Sequence, residues 1–248
     1  MLLTVLDGGV LSLTLNRPEK RNALDAATIT ALTVALDRAD LDAAVRVVAL
    51  RGAGKDFCAG ADLAELLASV DHSMEENDRS ARTLGDLFIK IRQLPKPVVA
   101  IVHGRALAGG AGLATACDMV LAAESAWFGF PEIQRGFVPA MVLTVLRRLV
   151  GERVAFDLVA TGRLLTAAEA AAHGLISRVA PDAELEGRAE ELLRQLAASS
   201  GSALGLIKRL VDELDGRDFA DGIALGARAN ALARAHDDFR SAVRAFLK

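Results

Sequence analysis

The 248-residue sequence predicts an α/β core over residues 1–182, followed by a helical C-terminal segment over residues 183–248. Three observations predict it. Short apolar runs with strand character recur through the first 180 or so residues, and Leu11, Leu13 and Leu15, alternating with Ser12 and Thr14, are the clearest. Segments with helical spacing, such as Ile29, Leu32 and Leu36, fall between those runs. Beyond Asp182 the strand pattern stops, and Ala189, Leu192, Leu193 and Leu196 form one helical stripe.

In chain order, Met1 to Leu6 reads as a strand, and the Leu11–Leu15 alternation as a second, half-buried one. The polar, Pro-punctuated stretch Asn16-Arg17-Pro18-Glu19-Lys20-Arg21-Asn22 is a loop. After the Ile29–Leu36 helix, Val45 to Leu50 is an apolar strand broken only by Arg46. Asp62 is placed to cap a short helix from Leu63 to Leu67. Residues 70–82 are polar and acid-rich, which predicts a loop leading into a helix from Leu84 to Ile91. Pro95-Lys96-Pro97 introduces a buried strand, Val98 to Val102, then a Gly/Ala-rich turn and helix, then a strand near Met119 to Ala122. Thr166 and Glu169 are spaced as a capping box, Gly174 can end that helix, and Leu175 to Val179 predicts a further strand.

Composition narrows the function. The chain is 52% hydrophobic and 25% charged with a net charge of −3, an ordinary globular balance. Nothing in it points to nucleic acid or an anionic membrane, although a local basic pocket for a phosphate is compatible with it. Cys58 and Cys117 make neither a disulfide framework nor a zinc spacing, and read as small buried hydrophobes in a reducing compartment. The N-terminus lacks the basic flank and cleavage site of a signal peptide, and no apolar run approaches the roughly 18 residues of a membrane span. A soluble, cytoplasmic protein is expected.

Three segments carry the chemistry. Phe57-Cys58-Ala59-Gly60-Ala61-Asp62 exposes backbone through small side chains and runs into a helix N-terminus, where free N–H groups can bind an oxyanion or phosphate. Gly104-Arg105-Ala106-Leu107-Ala108-Gly109-Gly110-Ala111-Gly112-Leu113 follows a buried strand and opens a helix, offering a second set of donors; either segment alone is also a common packing device. Gly110-Ala111-Gly112 begins a G-x-G, but Thr115 stands at the third glycine position, so a dinucleotide site is not indicated, and no P-loop pattern is present. In Trp127-Phe128-Gly129-Phe130-Pro131-Glu132-Ile133 a carboxylate sits among aromatic and aliphatic residues. Desolvation there raises its pKa and suits it to carry a proton near neutrality, whereas the plain alternative is an exposed Glu132 paired with Arg135.

Taken together these segments resemble the crotonase (enoyl-CoA hydratase/isomerase) superfamily. Asn16-Arg17-Pro18 to Asn22-Ala23-Leu24, Phe57 to Asp62, Gly104 to Asp118, Phe128 to Glu132, and Thr161-Gly162-Arg163 through Glu169 to Gly174-Leu175 stand in the family's order. The resemblance implies a spiral of ββα units with a C-terminal helical trimerisation segment, two trimers stacking into a hexamer. It implies an acyl-CoA substrate whose thioester carbonyl lies between the N–H groups of Ala59 and Gly109. It implies that Arg21 and Ala23, with Ala59, Gly60, Ala61, Asp62 and Leu63, hold the CoA moiety, and that no metal or redox cofactor is used. Backbone donors that meet charge developing in the transition state explain why glycine and alanine mark such a site.

The sequence departs from the family pattern at one place. Two-carboxylate hydratases carry a glutamate in the helix after the glycines; here Gly112 occupies that position, giving room to an acyl chain or to a water, and Glu132 is the one acid/base left. Hydration remains the leading reading, because the Gly-Gly-Ala-Gly-Leu arrangement followed by Val138-Pro139-Ala140 resembles hydratases of the methylglutaconyl-CoA type. Δ3–Δ2 enoyl-CoA isomerisation with Glu132 as lone proton shuttle is the alternative, and a non-catalytic acyl-CoA-binding or structural oligomer the second. Glu65 reads as a solvated helix position, Asp71 to Asp78 as a solvated loop rather than a lid, and His103 as a satisfied core histidine. His72, His173 and His236 have no suggestive neighbours. A partner to the CoA phosphates is expected at Arg244 or Lys248 of a neighbouring subunit.

Overall fold

The computed structural model describes residues 1–247, so Lys248 lies outside the described residues. β1 (Leu2–Asp7) and β2 (Val10–Leu15) form an antiparallel hairpin. Gly8 and Gly9 link them with φ of +54° and +83°, the left-handed pair that a tight hairpin connection demands. α1 (Ala26–Leu41) starts where Asp25 accepts a bond from the Thr28 N–H, and returns the chain to β3 (Val47–Gly52), parallel to β2.

α2 (Leu63–Ala68) and α3 (Met74–Gln93) then lead to β4 (Val98–Val102), β5 (Arg105–Leu107) and α4 (Gly109–Ala116). β6 (Met119–Ala123) and β7 (Trp127–Gly129) are followed by a 3-10 turn, Pro131–Arg135, and by α5 (Ala140–Val150) and α6 (Glu152–Thr161). β8 (Leu164–Thr166), α7 (Ala167–Ala172) and β9 (Arg178–Ala180) complete the strands.

One sheet runs β1-β2-β3-β4-β6-β9, parallel after the first hairpin; a smaller one runs β5-β7-β8, and Cys58 joins it by a bridge to Ala106. Three times, therefore, a strand of the large sheet is followed by a short strand or bridge of the small one and then by helix. That is the expected ββα spiral. The strands buried on both faces are continuous apolar runs, as in β4, where every residue is buried.

α3 begins ten residues before the helix expected at Leu84. Ser73 and Glu76 form a reciprocal capping box, and Asp78 pairs with Arg82 one turn on, so the acid-rich stretch is helix from Met74 rather than loop. β9 is shorter than expected, because Leu175 and Ile176 are buried in the turn before it. α8 (Leu185–Ala198) opens the helical region after residue 182, but it buries Leu185, Ala189, Leu192 and Leu193 in the core and so packs with the sheet. The helices α9 (Gly201–Glu213), α10 (Phe219–Ala235) and α11 (Asp237–Phe246) have no buried residue. α9 is pinned by Lys208, which donates to the carbonyls of Ile91 (2.7 Å) and Lys96 (3.0 Å) and pairs with Asp118 at 2.7 Å.

Among the described residues no helix is long and apolar enough to cross a membrane. Cys58 and Cys117 are free and buried, and burial pushes the Cys58 thiol up to about 12.

Candidate active site

The site lies where the two glycine-rich segments meet. Ala59 donates its N–H to the Arg21 carbonyl at 3.0 Å, Leu24 donates to the Gly60 carbonyl at 2.8 Å, and Asp62 donates to the Leu24 carbonyl at 2.9 Å. Successive N–H groups of an extended backbone face opposite sides. With Gly60 and Asp62 turned toward Leu24, the Ala61 N–H faces away, and it makes no hydrogen bond among the described residues. This corrects the expectation for Ala59, whose N–H is already spent on Arg21. The Ala61 N–H is a free donor of this segment among the described residues.

The second donor is Gly109, the first residue of α4, whose N–H has no carbonyl within the helix to pair with. Its peptide is set by Ala108, held at φ +52° and ψ −129° by donating to the Gly129 carbonyl at 2.8 Å and accepting from Gly112 at 3.0 Å. The two loops approach so closely that side chains are excluded. A Cβ on Gly60 would stand 2.7 Å from the Ala108 Cβ, and one on Gly110 would stand 2.3 Å from the Cys58 carbonyl oxygen. A Cβ on Gly109 would lie 3.8 Å from the Ala61 nitrogen, so the two unspent donors are neighbours.

Glu132 follows the strand that pairs with the segment before Gly109: β7 pairs with β5 in register, Gly129 opposite Leu107, and the chain then enters the 3-10 turn Pro131–Arg135. Gly162 backs that turn, its Cβ position lying 3.3 Å from the Pro131 Cα, which gives Thr161-Gly162-Arg163 its place in the fold. Glu132 Oε2 is buried and bonds to nothing among the described residues. Burial pushes its carboxyl above the usual range, against the smaller pull of its own backbone N–H and of the Arg135 charge.

Gly112 leaves no vacancy. A Cβ there would stand 2.6 Å from Val142 Cγ2 and 2.9 Å from the Phe88 ring, so the room expected for an acyl chain or a water is filled by α5 and α3.

Of the other expected residues, Arg21 and Leu63 are exposed, Ala59 and Ala61 partly so, and Ala23, Gly60 and Asp62 are buried. Asp62 caps α2 by accepting from the Ala64 N–H at 3.0 Å. Glu65 accepts from the Ala26 N–H at 3.0 Å, which makes it a support of α1 rather than part of the site. A ring nitrogen of His103 pairs with the Gly54 carbonyl at 2.8 Å. Among the described residues no three His, Cys, Asp or Glu side chains are placed to hold a metal ion.

Arg17 and Asn22, quoted in the first motif but given no task, prove central to its construction. Asn22 Nδ2 donates to the carbonyls of Ala53 and Asp56, both at 2.8 Å, and Arg17 binds Asp25 and Asp62.

Residues 6–248 match the family model described as enoyl-CoA hydratase/isomerase. A curated relative from Thermus thermophilus is 43% identical over 247 residues, covering 100% of this chain and 98% of the relative. The 1,2-epoxyphenylacetyl-CoA isomerase of Escherichia coli is 34% identical, with 99% and 95% covered. The crystal structure of enoyl-CoA hydratase from Mycobacterium smegmatis superposes with a TM-score of 0.94 at 33% identity, covering 99% of this chain and 95% of that one. This chain belongs to the enoyl-CoA hydratase/isomerase family, the crotonase superfamily.

Proposed function

We propose that the chain is an enoyl-CoA hydratase-type lyase, working through a thioester enolate held by the Ala61 and Gly109 N–H groups with Glu132 as acid and base. What carries this reading is the pair of neighbouring backbone donors, Ala61 and Gly109, that make no hydrogen bond among the described residues, together with a half-buried carboxylate whose Oε2 has no partner there. Preorganised donors favour the enolate over the ground-state carbonyl, and each is worth roughly 3–4 kcal/mol where one has been removed from such a site. In hydration, protonated Glu132 delivers its proton to the α-carbon while water adds its oxygen at the β-carbon and returns a proton to the carboxylate. A carboxyl whose pKa is raised holds that proton nearer neutrality.

Arg21, Ala23, Ala59, Gly60, Ala61, Asp62 and Leu63 are proposed to embrace the CoA moiety, with exposed Arg21 as the cation of the set. CoA is part of the substrate, and the reaction as proposed needs no metal or redox cofactor. Self-association as a trimer or hexamer through the apolar faces of α9–α11, and residence in the cytoplasm, complete the proposal.

One observation favours a second reading. With Phe88 and Val142 filling the space at Gly112, no second carboxylate stands there. A lone Glu132 then suits Δ3–Δ2 enoyl-CoA isomerisation: it takes the α-proton of a 3-enoyl thioester and returns it at the γ-carbon. An absorbance assay with crotonyl-CoA beside a 3-enoyl-CoA decides. Loss of conjugated-thioester absorbance from crotonyl-CoA establishes hydration; a rise from the 3-enoyl substrate with crotonyl-CoA silent establishes isomerisation. Silence from both, with Glu132→Gln indistinguishable from wild type in acyl-CoA binding, would leave the non-catalytic binder.

A further inference from the structure

Arg17 and Asn22, in the first motif, have no part in the chemistry above, yet their bonds converge on the segment that carries the Ala61 donor. Resting on the proposed enolate site, we propose that Arg17 is a positioning residue: it clasps the 21–24 loop to the 59–62 segment and thereby fixes the direction of the Ala61 N–H.

The loop itself is unfavourable. Arg21 and Asn22 both adopt left-handed backbone, φ +50° and +56°, which costs non-glycine residues free energy unless the surroundings hold them there. Arg17 holds them. Its backbone N–H donates to Asn22 Oδ1 at 2.9 Å, its carbonyl accepts from the Asn22 N–H at 2.9 Å, and its Nη1 donates to the Ala23 carbonyl at 2.7 Å.

The other edge of the same guanidinium grips the segment beside the donor. Nη2 bonds Asp62 Oδ2 at 2.9 Å, and Nη1 lies 3.0 Å from Asp25 Oδ2. Asp62 and Asp25 are the caps of α2 and α1, so one planar cation ties two helix starts to one loop. The Arg17 hydrogen bond is the largest influence holding the Asp62 carboxyl below its ordinary range. Between these grips lie the Leu24 bonds to Gly60 and Asp62 that turn the Ala61 N–H outward. Release the clasp, and that direction rests on the backbone bonds of Leu24 and Ala59 and on the contacts of Asn22 with Asp56 and Cys58. Donors of this kind act through placement, and a misplacement of about 1 Å can cost on the order of a hundredfold in rate.

The test uses a 3-ketoacyl-CoA, whose enolate absorbs in the near ultraviolet, and a saturated acyl-CoA as a ligand that cannot enolise. Arg17→Lys, Arg17→Met and Asp62→Asn are compared with wild type; Asp62→Asn keeps a competent cap while breaking the grip. The expected result is wild type binding the 3-ketoacyl thioester as its enolate, the enolate fraction at saturation falling at least about fivefold in Arg17→Met and Asp62→Asn, and Arg17→Lys lying between. In the two Arg17 variants affinity for the saturated acyl-CoA stays within about threefold, a split that a general loss of fold would not give. A wild-type enolate fraction in Arg17→Met or Asp62→Asn overturns the proposal alone. So does an equal loss of affinity for both ligands in Arg17→Met. Absence of the enolate band in wild type overturns the enolate site itself, and this proposal with it.

Discussion

At the scale of single residues, Glu132 and Ala108 carry the sharpest expectations. Glu132 couples function to stability. Its carboxyl is raised by burial, so folding takes up a proton between the unfolded value, about 4.3, and the higher folded one. Stability contributed by this group is therefore full below that window and lost as pH rises through it. Glu132→Gln abolishes the loss: the variant is expected to melt above wild type at neutral pH and level with it near pH 4, while turnover drops at least about a hundredfold. A variant less stable than wild type at pH 7.5 would show that the ionised carboxylate has a partner. Ala108 pays in backbone strain for aiming the Gly109 N–H, at a φ of +52° that glycine adopts freely. Ala108→Gly is expected to stabilise the fold by about 1 kcal/mol in chemical denaturation, the relieved strain exceeding the added chain entropy. No gain would mean that the Ala108 side chain contributes packing worth as much as the strain.

At the scale of elements, α4 is wedged between α3 and α5, and Gly109 and Gly112 are where they press. Leu84 Cδ2 would lie 3.5 Å from a Cβ on Gly109, and Phe88, one turn along α3, meets position 112. Gly112→Glu is consequently expected to cost 1–3 kcal/mol or more by overpacking and to add no hydratase activity. Combining it with Val142→Ala recovers part of that stability, as denaturant midpoints read. Activity gained by Gly112→Glu alone would show that α3 and α5 yield readily. The partly buried pair Lys208–Asp118 fastens α9 to the start of β4, where Asp118 also accepts from the Val98 N–H at 2.7 Å. Lys208→Met leaves the Asp118 carboxylate without its cation and is expected to destabilise by about 1–3 kcal/mol, and Asp118→Asn in the same chain restores part of it. An unchanged denaturant midpoint in Lys208→Met would mean that solvent reaches Asp118 freely.

At the scale of the whole molecule, the ββα spiral was legible because its long strands and helices announce themselves by period. Leu11-Leu13-Leu15 and Val98–Val102 are buried as their patterns predict. What escaped was set by tertiary contact. β5, β7 and β8 are three residues each, too short for a period to show, and the Ala59/Ala61 distinction depends on which N–H Leu24 leaves unpaired. The acid-rich start of α3 looks like loop by composition, but the local signal Ser73-x-x-Glu76 is a capping box and makes it helix. The C-terminal helices raise the remaining question of scale. Ile207, Val211, Phe219 and Ile223 are each more than half exposed on α9 and α10, and Phe246 on α11 is 90% exposed. Apolar area left in water costs roughly 25 cal/mol per Å², so these faces favour burial against another surface. If that surface is a second copy, Val211→Glu with Ile223→Glu lowers the mass measured by sedimentation from trimer or hexamer to monomer. The charges fall on faces that bury nothing within the chain, so the far-ultraviolet circular dichroism of the double variant matches wild type. A wild-type chain that sediments as a monomer at micromolar concentration would assign those faces to something other than self-association.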